Sequence, residues 1–361
     1  MLKKLRMFDW VLYGLVLILL SISIILIYTI TFGNQVNLAL RQGIFAGIGL
    51  VFMFFLSMTD FRFIKNWTTL IYILGIISLV LVFLFGYTQF GARRWINFGF
   101  FPFQPSEIFK LIIIIALAKF FSSKTDLFNI KSLINVLVIV LIPIVMVMRQ
   151  PDLGTAIVLA VTAFGMLFAV KLPKKLILIV FASLIIALPL VFLSLKDYQK
   201  HRIEVFLNPN SDPAGTGYNI TQAKIAVGSG GLYGKGLGKG SQSELNFLPV
   251  AHTDFIFAGL AEVSGFVGSV MIILIYIIML WRIVGIANSA PDDFSSMLAL
   301  GIGILFLFQI FVNIGMNIGI MPVVGIPLPF VSSGGTSLMT SLIAIGILQS
   351  IYRQKENTKR Y

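Results

Sequence analysis

The chain of 361 residues has no cysteine and only two histidines, His201 and His252. Without cysteine, disulfides, thiolate zinc sites and cysteine nucleophiles are excluded, and the redox compartment stays open. No metal-ligand spacing surrounds either histidine, so a histidine-based metal site is not expected.

Charge is scarce as well, since 11% of the residues are charged and 58% are hydrophobic. Apolar runs of about 17 to 27 residues recur throughout the chain, and each can cross roughly 30 Å of hydrocarbon as a helix. The first run follows the basic start MLKKLR, but it is too long for a signal peptide and ends without a small-residue cleavage site. The composition predicts an all-α, polytopic membrane protein in which residues 1–361 form a single transmembrane domain.

Apolar length, read against glycine, proline and charged residues, predicts about ten membrane spans. They are placed at residues 10–30, 37–58, 67–86, 105–121, 132–148, 153–170, 174–195, 255–281, 294–318 and 330–352. A large loop, residues 196–254, separates the seventh span from the eighth. The stretch MPVVGIPLP contains three prolines, which cannot continue a helix, so it separates the last two spans and could dip into the membrane.

Lysine and arginine concentrate in alternate connections, whereas the opposite short connections hold only Arg41, Arg93, Arg94 and Arg149. The positive-inside rule therefore predicts cytoplasmic termini and an external 196–254 loop. The formal charge of +13 is explained by topology and by attraction to anionic membrane lipids, and no nucleic-acid partner is expected.

Few ionisable side chains fall at membrane depth, where each is a candidate for function. Glu107 and Lys110 lie three residues apart, so they can form a structural ion pair, a polar wall of a substrate cavity, or both. Arg94 beside Trp95 suits either an interface anchor or a grip on a lipid phosphate. Asp152 at the start of a span can cap that helix or face a cavity.

The turn formed by His252, Thr253 and Asp254 opens the eighth span. Asp254 could cap the helix, but a cap does not need these neighbours or Glu262, which lies farther into the same helix. Partial desolvation at such a rim would raise the proton affinity of the carboxylate and make it a better general base. Asp254 is therefore the candidate catalytic residue.

The segment GSGGLYGKGLGKGSQSE interleaves Lys235 and Lys239 with glycines. It fails to match a nucleotide-binding phosphate loop at either lysine. Two interpretations stay open: a flexible loop tip, or a surface whose backbone amides and lysines contact a pyrophosphate head group.

The segment PFVSSGGTS opens the last span with the hydroxyl side chains of Ser332, Ser333 and Thr336. These residues, like the other polar outliers, fall at the outer ends or in the outer halves of predicted spans. A single outward-opening polar cavity would gather them.

Four segments together resemble one family: GARRWINFGFFPFQPSEIFK, RQPDLGTA, the long stretch from GYNITQAK to AEVSG, and MPVVGIPLPFVSSGGTS. In order and spacing they are similar to the SEDS family of bacterial cell-wall polymerases. The glycine-rich segment and the last segment resemble the rod-shape-determining RodA branch more than the division branch, FtsW.

The resemblance implies a ten-span enzyme of the bacterial cytoplasmic membrane that joins lipid II units into peptidoglycan glycan strands on the outer face. The family's essential aspartate falls on Asp254. The implied substrate-binding set comprises Arg94, Glu107, Lys110, Asp152, Lys239, His252, Thr253, Ser332 and Ser333. Val250 stands where the family often has an acidic residue. Any role that this acidic residue has in the family therefore cannot be filled by position 250 of this chain.

The implied reaction inverts the anomeric carbon of an undecaprenyl-pyrophosphate-linked sugar, with Asp254 taking the proton of the attacking hydroxyl. Arg94, Lys110, Lys239 or a divalent cation could neutralise the departing pyrophosphate. No other cofactor is required. The resemblance also implies a class B penicillin-binding protein and other membrane proteins of the elongation complex as partners.

Three alternatives remain open from the sequence. The chain could be a flippase for the same lipid intermediate, a non-catalytic scaffold, or a polymerase of the division or sporulation branch. A flippase would need polar groups through the inner half of the membrane, and the predicted spans are nearly free of charge there.

Overall fold

The computed structural model describes residues 8–31, 36–89, 92–97, 99, 102–123, 130–170, 197–213, 215–240, 242, 247–248 and 250–358. The seventh predicted span, residues 174–195, lies outside the described residues. The described part forms eleven α-helices, one short 3-10 turn (Pro209–Ser211) and one small sheet.

The helices follow the apolar runs of the sequence. They are α1 (Trp10–Ile30), α2 (Val36–Met58), α3 (Phe61–Phe85), α4 (Pro105–Ser123), α5 (Ile130–Arg149), α6 (Leu153–Ala169), α7 (Asp197–Leu207), α8 (Thr216–Ser229), α9 (Ile256–Asn288), α10 (Asp293–Ile318) and α11 (Gly335–Thr358). Nine of them, α1 to α6 and α9 to α11, lie at nine of the ten predicted spans. Seven of these (α1, α2, α3, α5, α9, α10 and α11) are long and apolar enough to cross a membrane. The chain is therefore a polytopic integral membrane protein, as predicted.

Several helix boundaries differ from the predicted ones. Helices α9 and α11 end later, at Asn288 and Thr358 instead of residues 281 and 352, and two helices begin several residues from their predicted starts. Helix α3 begins at Phe61, because Asp60 caps it by accepting from Arg62 N at 2.8 Å. The predicted span began later, at residue 67, because charged residues precede it in the sequence. Helix α11 begins only at Gly335, because residues 330–334 form turns that bond to the chain before α9.

A three-stranded antiparallel sheet between α3 and α4 is the main departure from the predicted all-α architecture. It comprises β1 (Tyr87–Gln89), β2 (Ala92–Asn97) and β3 (Pro102–Phe103), in the order β1-β2-β3. Its strands are short and were concealed among aromatic and glycine residues in a connecting segment. Strand β2 carries Arg94, one of the candidate site residues.

Helix α4 is the centre of the bundle. Fourteen of its side chains are buried, including every one from Phe109 to Ala118. It packs against α3, α6, α10 and α11. Helices α3 and α5 instead expose many large apolar side chains, as expected of surfaces that face lipid.

The bundle has two distinct ends. At one end, Arg282 near the end of α9 forms an ion pair with Asp9 at 2.6 Å, and Gln349 Nε2 of α11 donates to Asp9 O at 2.9 Å. We name this the Asp9 end. The chain therefore enters α9 and α11 at the opposite end, which we name the Asp254 end.

The proline-rich segment before α11 reaches into the bundle from the Asp254 end. Ser23 Oγ donates to Val331 O at 2.7 Å, and Gln42 Nε2 donates to Ser332 O at 3.2 Å. Because a helix rises 1.5 Å per residue, Ser23 lies about 10 Å inside the end of α1. Irregular backbone at this depth is tolerated because protein surrounds it.

Candidate functional site

The candidate base, Asp254, lies in a tight turn, residues 250–255, immediately before α9. The N-cap residue of α9 is Phe255, and no side chain caps the helix. The capping interpretation of Asp254 is therefore wrong. Its carboxylate makes no hydrogen bond or ion pair with any residue that the structure describes, so its acceptor capacity is not used inside the described chain.

The main chain of Asp254 is held by two amide side chains of α10. Asn313 Nδ2 and Asn317 Nδ2 donate to Asp254 O at 3.1 and 3.0 Å. Asn317 Oδ1 also accepts from Ala258 N at 2.9 Å, one of the first amides of α9, which lack a partner within their own helix. Both asparagines are fully buried, so α10 fixes the position of the Asp254 main chain, from which the carboxylate side chain extends.

The segment before α11 forms the second support of the turn. Ser332 Oγ donates to Thr253 O at 2.7 Å and accepts from Leu328 N at 2.9 Å. Ser333 N donates to His252 O at 2.8 Å. Four of the predicted substrate-binding residues are thus brought together beside Asp254. The hydroxyl proton of Ser332 is already used within the protein.

Gly325 leaves room beside the carboxylate. It has a φ of 73°, which favours glycine, and a Cβ at this position would lie 3.4 Å from Asp254 Oδ2. The adjacent Ile326 O accepts from Asn313 Nδ2 at 2.8 Å. A single asparagine therefore joins the Asp254 turn to the wall of the space next to its carboxylate.

Asp152 and Arg94 form an ion pair close to this turn. Arg94 Nη1 lies 3.6 Å from Asp152 Oδ1, and Arg94 Nη2 donates to Pro151 O. Asp152 also caps α6, since its Oδ1 accepts from Thr155 N at 3.2 Å. The predicted cap is confirmed, and the same carboxylate holds the arginine of β2.

The start of α4 completes this network. Gln104 Nε2 and Ser106 Oγ donate to Asp152 Oδ2 at 2.9 and 3.3 Å. Asp152 is 3% exposed, and its oxygens are occupied by these protein donors. Arg94 keeps one spare donor, because its buried Nε has no hydrogen-bond partner among the described residues.

Burial and, to a lesser extent, nearby charges set the proton affinity of Asp254. Burial raises the pKa of its carboxyl above the ordinary value, the positive charges of Arg202 and Arg94 oppose that rise, and Asp152 adds to it. Burial also lowers the pKa of His252, which keeps that imidazole neutral at neutral pH. Asp254 is thus a carboxylate whose proton affinity is increased, as a general base requires.

Glu107 and Lys110 form the expected ion pair in the first turns of α4. Lys110 Nζ lies 2.7 Å from Glu107 Oε2, and both side chains are almost fully buried. A buried pair of this geometry can fix helix packing, and removal of one partner would leave an uncompensated charge. Its second predicted role, as a wall of the substrate cavity, stays a prediction.

The glycine-rich segment follows α8 and rests on α9 through backbone hydrogen bonds. Lys235 Nζ lies 2.8 Å from Glu262 Oε1, so Glu262 faces the loop. Lys239 is exposed on the same segment and makes no hydrogen bond or ion pair within the described residues. The structure does not bring Lys239 into contact with Asp254.

Sequence reasoning missed several residues of this site. Arg202 lies on α7, inside what the sequence presented as a loop, and no local pattern marks it. Asn313 and Asn317 did carry a signal, because two polar amides four residues apart on one face of an apolar span indicate a buried hydrogen-bonding role. Gln104 was concealed in the aromatic connection before α4.

Comparison with known proteins identifies the fold and the family. The model of the FtsW/RodA/SpoVE cell cycle protein family matches residues 2–357. The chain belongs to this family.

Its relatives carry the names of cell-wall enzymes. Peptidoglycan glycosyltransferase MrdB of Escherichia coli K12 is 39% identical over 343 residues, which is 95% of this chain and 92% of that protein. Stage V sporulation protein E of Bacillus subtilis is 40% identical over 359 residues, 96% of this chain and 97% of that protein. The predicted enzyme class, a peptidoglycan glycosyltransferase, is confirmed.

Two solved structures are similar to this chain over almost its whole length. A chain from a peptidoglycan synthase complex described as coordinating polymerization and crosslinking is 28% identical, with a TM-score of 0.83, over 96% of this chain and 98% of its own. The rod shape determining protein RodA of Thermus thermophilus is 27% identical, with a TM-score of 0.73, over 96% of this chain and 97% of its own. The resemblance inferred from the four sequence segments is confirmed.

Proposed function

We propose that Asp254 is the general base with which this peptidoglycan glycosyltransferase joins lipid II units. One observation carries the proposal: the backbone of Asp254 is clamped by Asn313 and Asn317, while its carboxylate has no partner among the described residues. A carboxylate held in place but left unbonded suits proton abstraction better than it suits structure.

The step can be written in balance. The 4-hydroxyl of the acceptor sugar gives its proton to the Asp254 carboxylate as its oxygen bonds to the anomeric carbon of the donor. The bond from that carbon to the pyrophosphate oxygen breaks on the opposite face, which inverts the configuration. Undecaprenyl pyrophosphate leaves with the electron pair, and no nucleotide is needed.

The departing pyrophosphate requires positive charge more than a proton. Arg94 is suited to this role because its buried Nε keeps a spare donor, while Asp152 lies beside its Nη1 and Pro151 O accepts from its Nη2. Arg202 adds a second positive charge within electrostatic range of Asp254. These two arginines would neutralise charge as it develops on the leaving group.

A divalent cation could bind at the pyrophosphate only if the substrate supplied most of its ligands. The described residues contain no cluster of three or more His, Cys, Asp or Glu side chains that could hold a metal. Mg²⁺ often binds through one or two carboxylates together with substrate phosphates and water. The oxygens of Asp152 already accept from protein donors, so substrate phosphates and water would have to hold the cation, which would supply further charge neutralisation.

We also propose that the Asp254 end faces the outside of the cell and that both termini are cytoplasmic. The alternation of lysine- and arginine-rich connections supports this orientation. It lets the lipid tail of the substrate stay in the bilayer while its sugars reach Asp254. Cysteine introduced at Lys239, in a chain that has no native cysteine, should react with a membrane-impermeant thiol reagent in intact cells; protection until lysis would contradict the orientation.

A class B penicillin-binding protein is the proposed partner. The proposal is supported by the similarity to a chain of a peptidoglycan synthase complex. Co-purification from the native membrane, and stimulation of polymerisation by the purified transpeptidase, would test it. Equal activity without any partner would argue against a regulatory complex.

Elongation is the proposed process, supported by similarity to the MrdB and RodA proteins. The sporulation protein is about equally identical, so a direct comparison is informative. The chain should restore rod shape to cells depleted of their own rod-shape polymerase. Restoration of spore cortex but not of rod shape would assign the chain to the sporulation branch instead.

The decisive experiment on the base uses purified full-length protein, lipid II and Asp254→Asn. The variant should bind lipid II normally and polymerise it about 100- to 10,000-fold more slowly, while Asp254→Glu should lose less activity because a carboxylate is still present. Normal polymerisation by Asp254→Asn would refute the base assignment. Transport of lipid II across vesicles by wild-type protein, with no polymer formed, would favour the flippase alternative.

A further inference from the structure

Helix α9 is interrupted a short distance after Asp254. Gly265 has a φ of 69° and a ψ of −162°, well outside helical values. Residues 256–264 therefore form a separate helical segment, and residues 266–288 continue to the Asp9 end. An interruption of this kind leaves amides and carbonyls inside a membrane protein without helical partners.

The glycine-rich segment fills the interruption. Four backbone hydrogen bonds connect the two, and they run in both directions across the gap. They join Lys235 N to Glu262 O (3.0 Å), Gly236 N to Val263 O (3.0 Å), Phe266 N to Gly231 O (2.9 Å) and Val267 N to Leu232 O (3.1 Å). The loop thus replaces the helical bonds that Gly265 breaks.

The contact is too close for side chains. A Cβ on Gly230 would collide with Ala261 O, one on Gly234 with Val263 O, and one on Gly265 with Gly234 N. Gly234 and Gly265 also have positive φ values. The close backbone contact with α9 therefore requires glycine at these positions, which accounts for part of the glycine-rich composition of the loop.

One ion pair locks the docked loop. Lys235 Nζ lies 2.8 Å from Glu262 Oε1, the Glu262 side chain is 0% exposed and that of Lys235 is 26% exposed. The same carboxylate oxygen accepts from Gln242 N at 2.9 Å. Loss of the lysine would remove a positive charge from beside a fully buried carboxylate, which is unfavourable.

Asp254 lies in the turn immediately before residues 256–264, at the end of this segment opposite the loop contact. Residues 256–264 are fixed at their start by Asn317, through Ala258 N, and at their end by the loop and Lys235. Release of the second support would let this short segment tilt about the first. Because Asn317 also holds Asp254 O, such a tilt would turn the Asp254 backbone on its clamp and change the direction in which the carboxylate points.

We propose that Lys235 and Glu262 are a positioning pair for the polymerase reaction: they hold the glycine-rich loop in the break of α9 and so keep Asp254 aligned with the attacking hydroxyl. The inference rests on the proposed function of Asp254. It assigns the pair no contact with substrate.

The test compares Glu262→Gln and Lys235→Met with the charge-reversed double variant Lys235→Glu/Glu262→Lys. Polymerisation of lipid II by the full-length chain is measured with its transpeptidase present. Because a misplacement of about 1 Å can cost roughly 100-fold in rate, kcat should fall between about 10- and 100-fold in each single variant, with KM little changed. The double variant should recover much of this loss, and Lys235→Arg should stay near wild type.

The pH profile supplies a readout that general destabilisation would not move. Asp254 must be ionised to act, and burial raises its pKa. A loosened segment would admit water and relieve that burial, so the acid limb of the kcat profile should move to lower pH in Glu262→Gln. A limb that stays in place, with kcat unchanged, would overturn the proposal.

Arg282→Gln is the matched control. Arg282 pairs with Asp9 on the same helix α9, with side-chain exposures of 35% and 1%, but beyond the break and at the opposite end. This variant should lower the melting temperature and leave kcat within about twofold. If Glu262→Gln behaves in the same way as Arg282→Gln, the pair is merely structural and the inference fails, whereas full activity of Asp254→Asn would refute the proposed function itself.

Discussion

The two ends of the bundle use buried polar groups differently. At the Asp9 end, the Asp9 carboxylate caps α1 through Leu12 N and receives two nitrogens of Arg282, so its bonding capacity is used within the protein. At the Asp254 end, the Asp254 carboxylate and Arg94 Nε have no partners in the described chain. Polar groups whose hydrogen-bonding capacity is fully used within the protein stabilise the fold. Polar groups that the fold holds in place but leaves without a partner are the groups that a substrate can bind.

The same chemical change at the two ends should give opposite results. Asp254→Asn removes a general base, whose contribution is about 100- to 10,000-fold, so polymerisation should fall by that factor. Since burial raises the pKa of Asp254, its ionised form destabilises the fold above that pKa, and the variant should melt at a higher temperature at neutral pH. Asp9→Asn should instead lower the melting temperature and retain the kcat of the protein that stays folded. Thermal melts and lipid II assays on both variants test the contrast.

Variants of the Glu107–Lys110 pair test whether a buried ion pair at the Asp254 end also contacts substrate. Glu107→Gln alone should cost about 3 to 5 kcal/mol of stability, because a buried lysine is left without its partner. Glu107→Leu/Lys110→Met should restore the melting temperature, since an apolar pair can replace a buried ion pair. Restored stability with normal polymerisation would assign the pair a packing role, and restored stability without activity would place it in the substrate cavity.

Asn313→Ala tests the clamp on the Asp254 backbone. The change leaves the buried Ile326 carbonyl without its donor and leaves Asp254 O with Asn317 Nδ2 alone. An unsatisfied buried carbonyl costs about 1 to 3 kcal/mol, and the Asp254 turn loses half of its clamp, so both stability and kcat should fall. Asn313→Ser, which keeps one donor, should be intermediate. Wild-type kcat in Asn313→Ala, measured well below its melting temperature, would exclude the clamp from the function.

The acid side of the pH profile should report Asp254 directly. The base works only when ionised, so polymerisation should fall about tenfold per pH unit below its pKa. Because burial raises that pKa, the midpoint should lie above the value usual for aspartate. Asp254→Glu should move the midpoint, whereas Arg282→Gln should not. A midpoint at the ordinary aspartate value would contradict the desolvated environment of the carboxylate.

Lys239→Gln should have the smallest effect. Lys239 is exposed and makes no ion pair in the described part of the chain, and exposed charge pairs contribute at most about 1 kcal/mol. We expect KM for lipid II to rise by less than about fivefold, with a stronger rise at low salt. A loss of kcat comparable with that of Asp254→Asn would restore Lys239 to the catalytic site.

Each predicted span that the structure describes coincides with a helix, although the boundaries of α3, α9 and α11 are shifted, since apolar length is a local property. The bilayer demands about 20 apolar residues per span whatever the tertiary arrangement. The candidate residues were found for the same reason, because a charge in an apolar chain is conspicuous without any structure. Asp152, Glu107, Lys110 and Asp254 all stood out in this way.

The properties that distinguish these residues were not local. The capping interpretation held for Asp152 and failed for Asp254, although both precede a helix, because the orientation of a side chain depends on its neighbours. Arg202, the Asn313 and Asn317 clamp, and the docking of the glycine loop at Gly265 bring together segments far apart in sequence. No periodicity records such pairings.

The sequence by itself determined that this chain crosses the membrane many times, where its helices run, and which few side chains are too polar for their surroundings. Only the tertiary structure decided which of those side chains satisfy one another and which are left with unused bonding capacity. The physical reason is that hydrophobic transfer acts on each segment separately, whereas hydrogen bonds and ion pairs depend on distances of about 3 Å between groups that only the folded chain brings together.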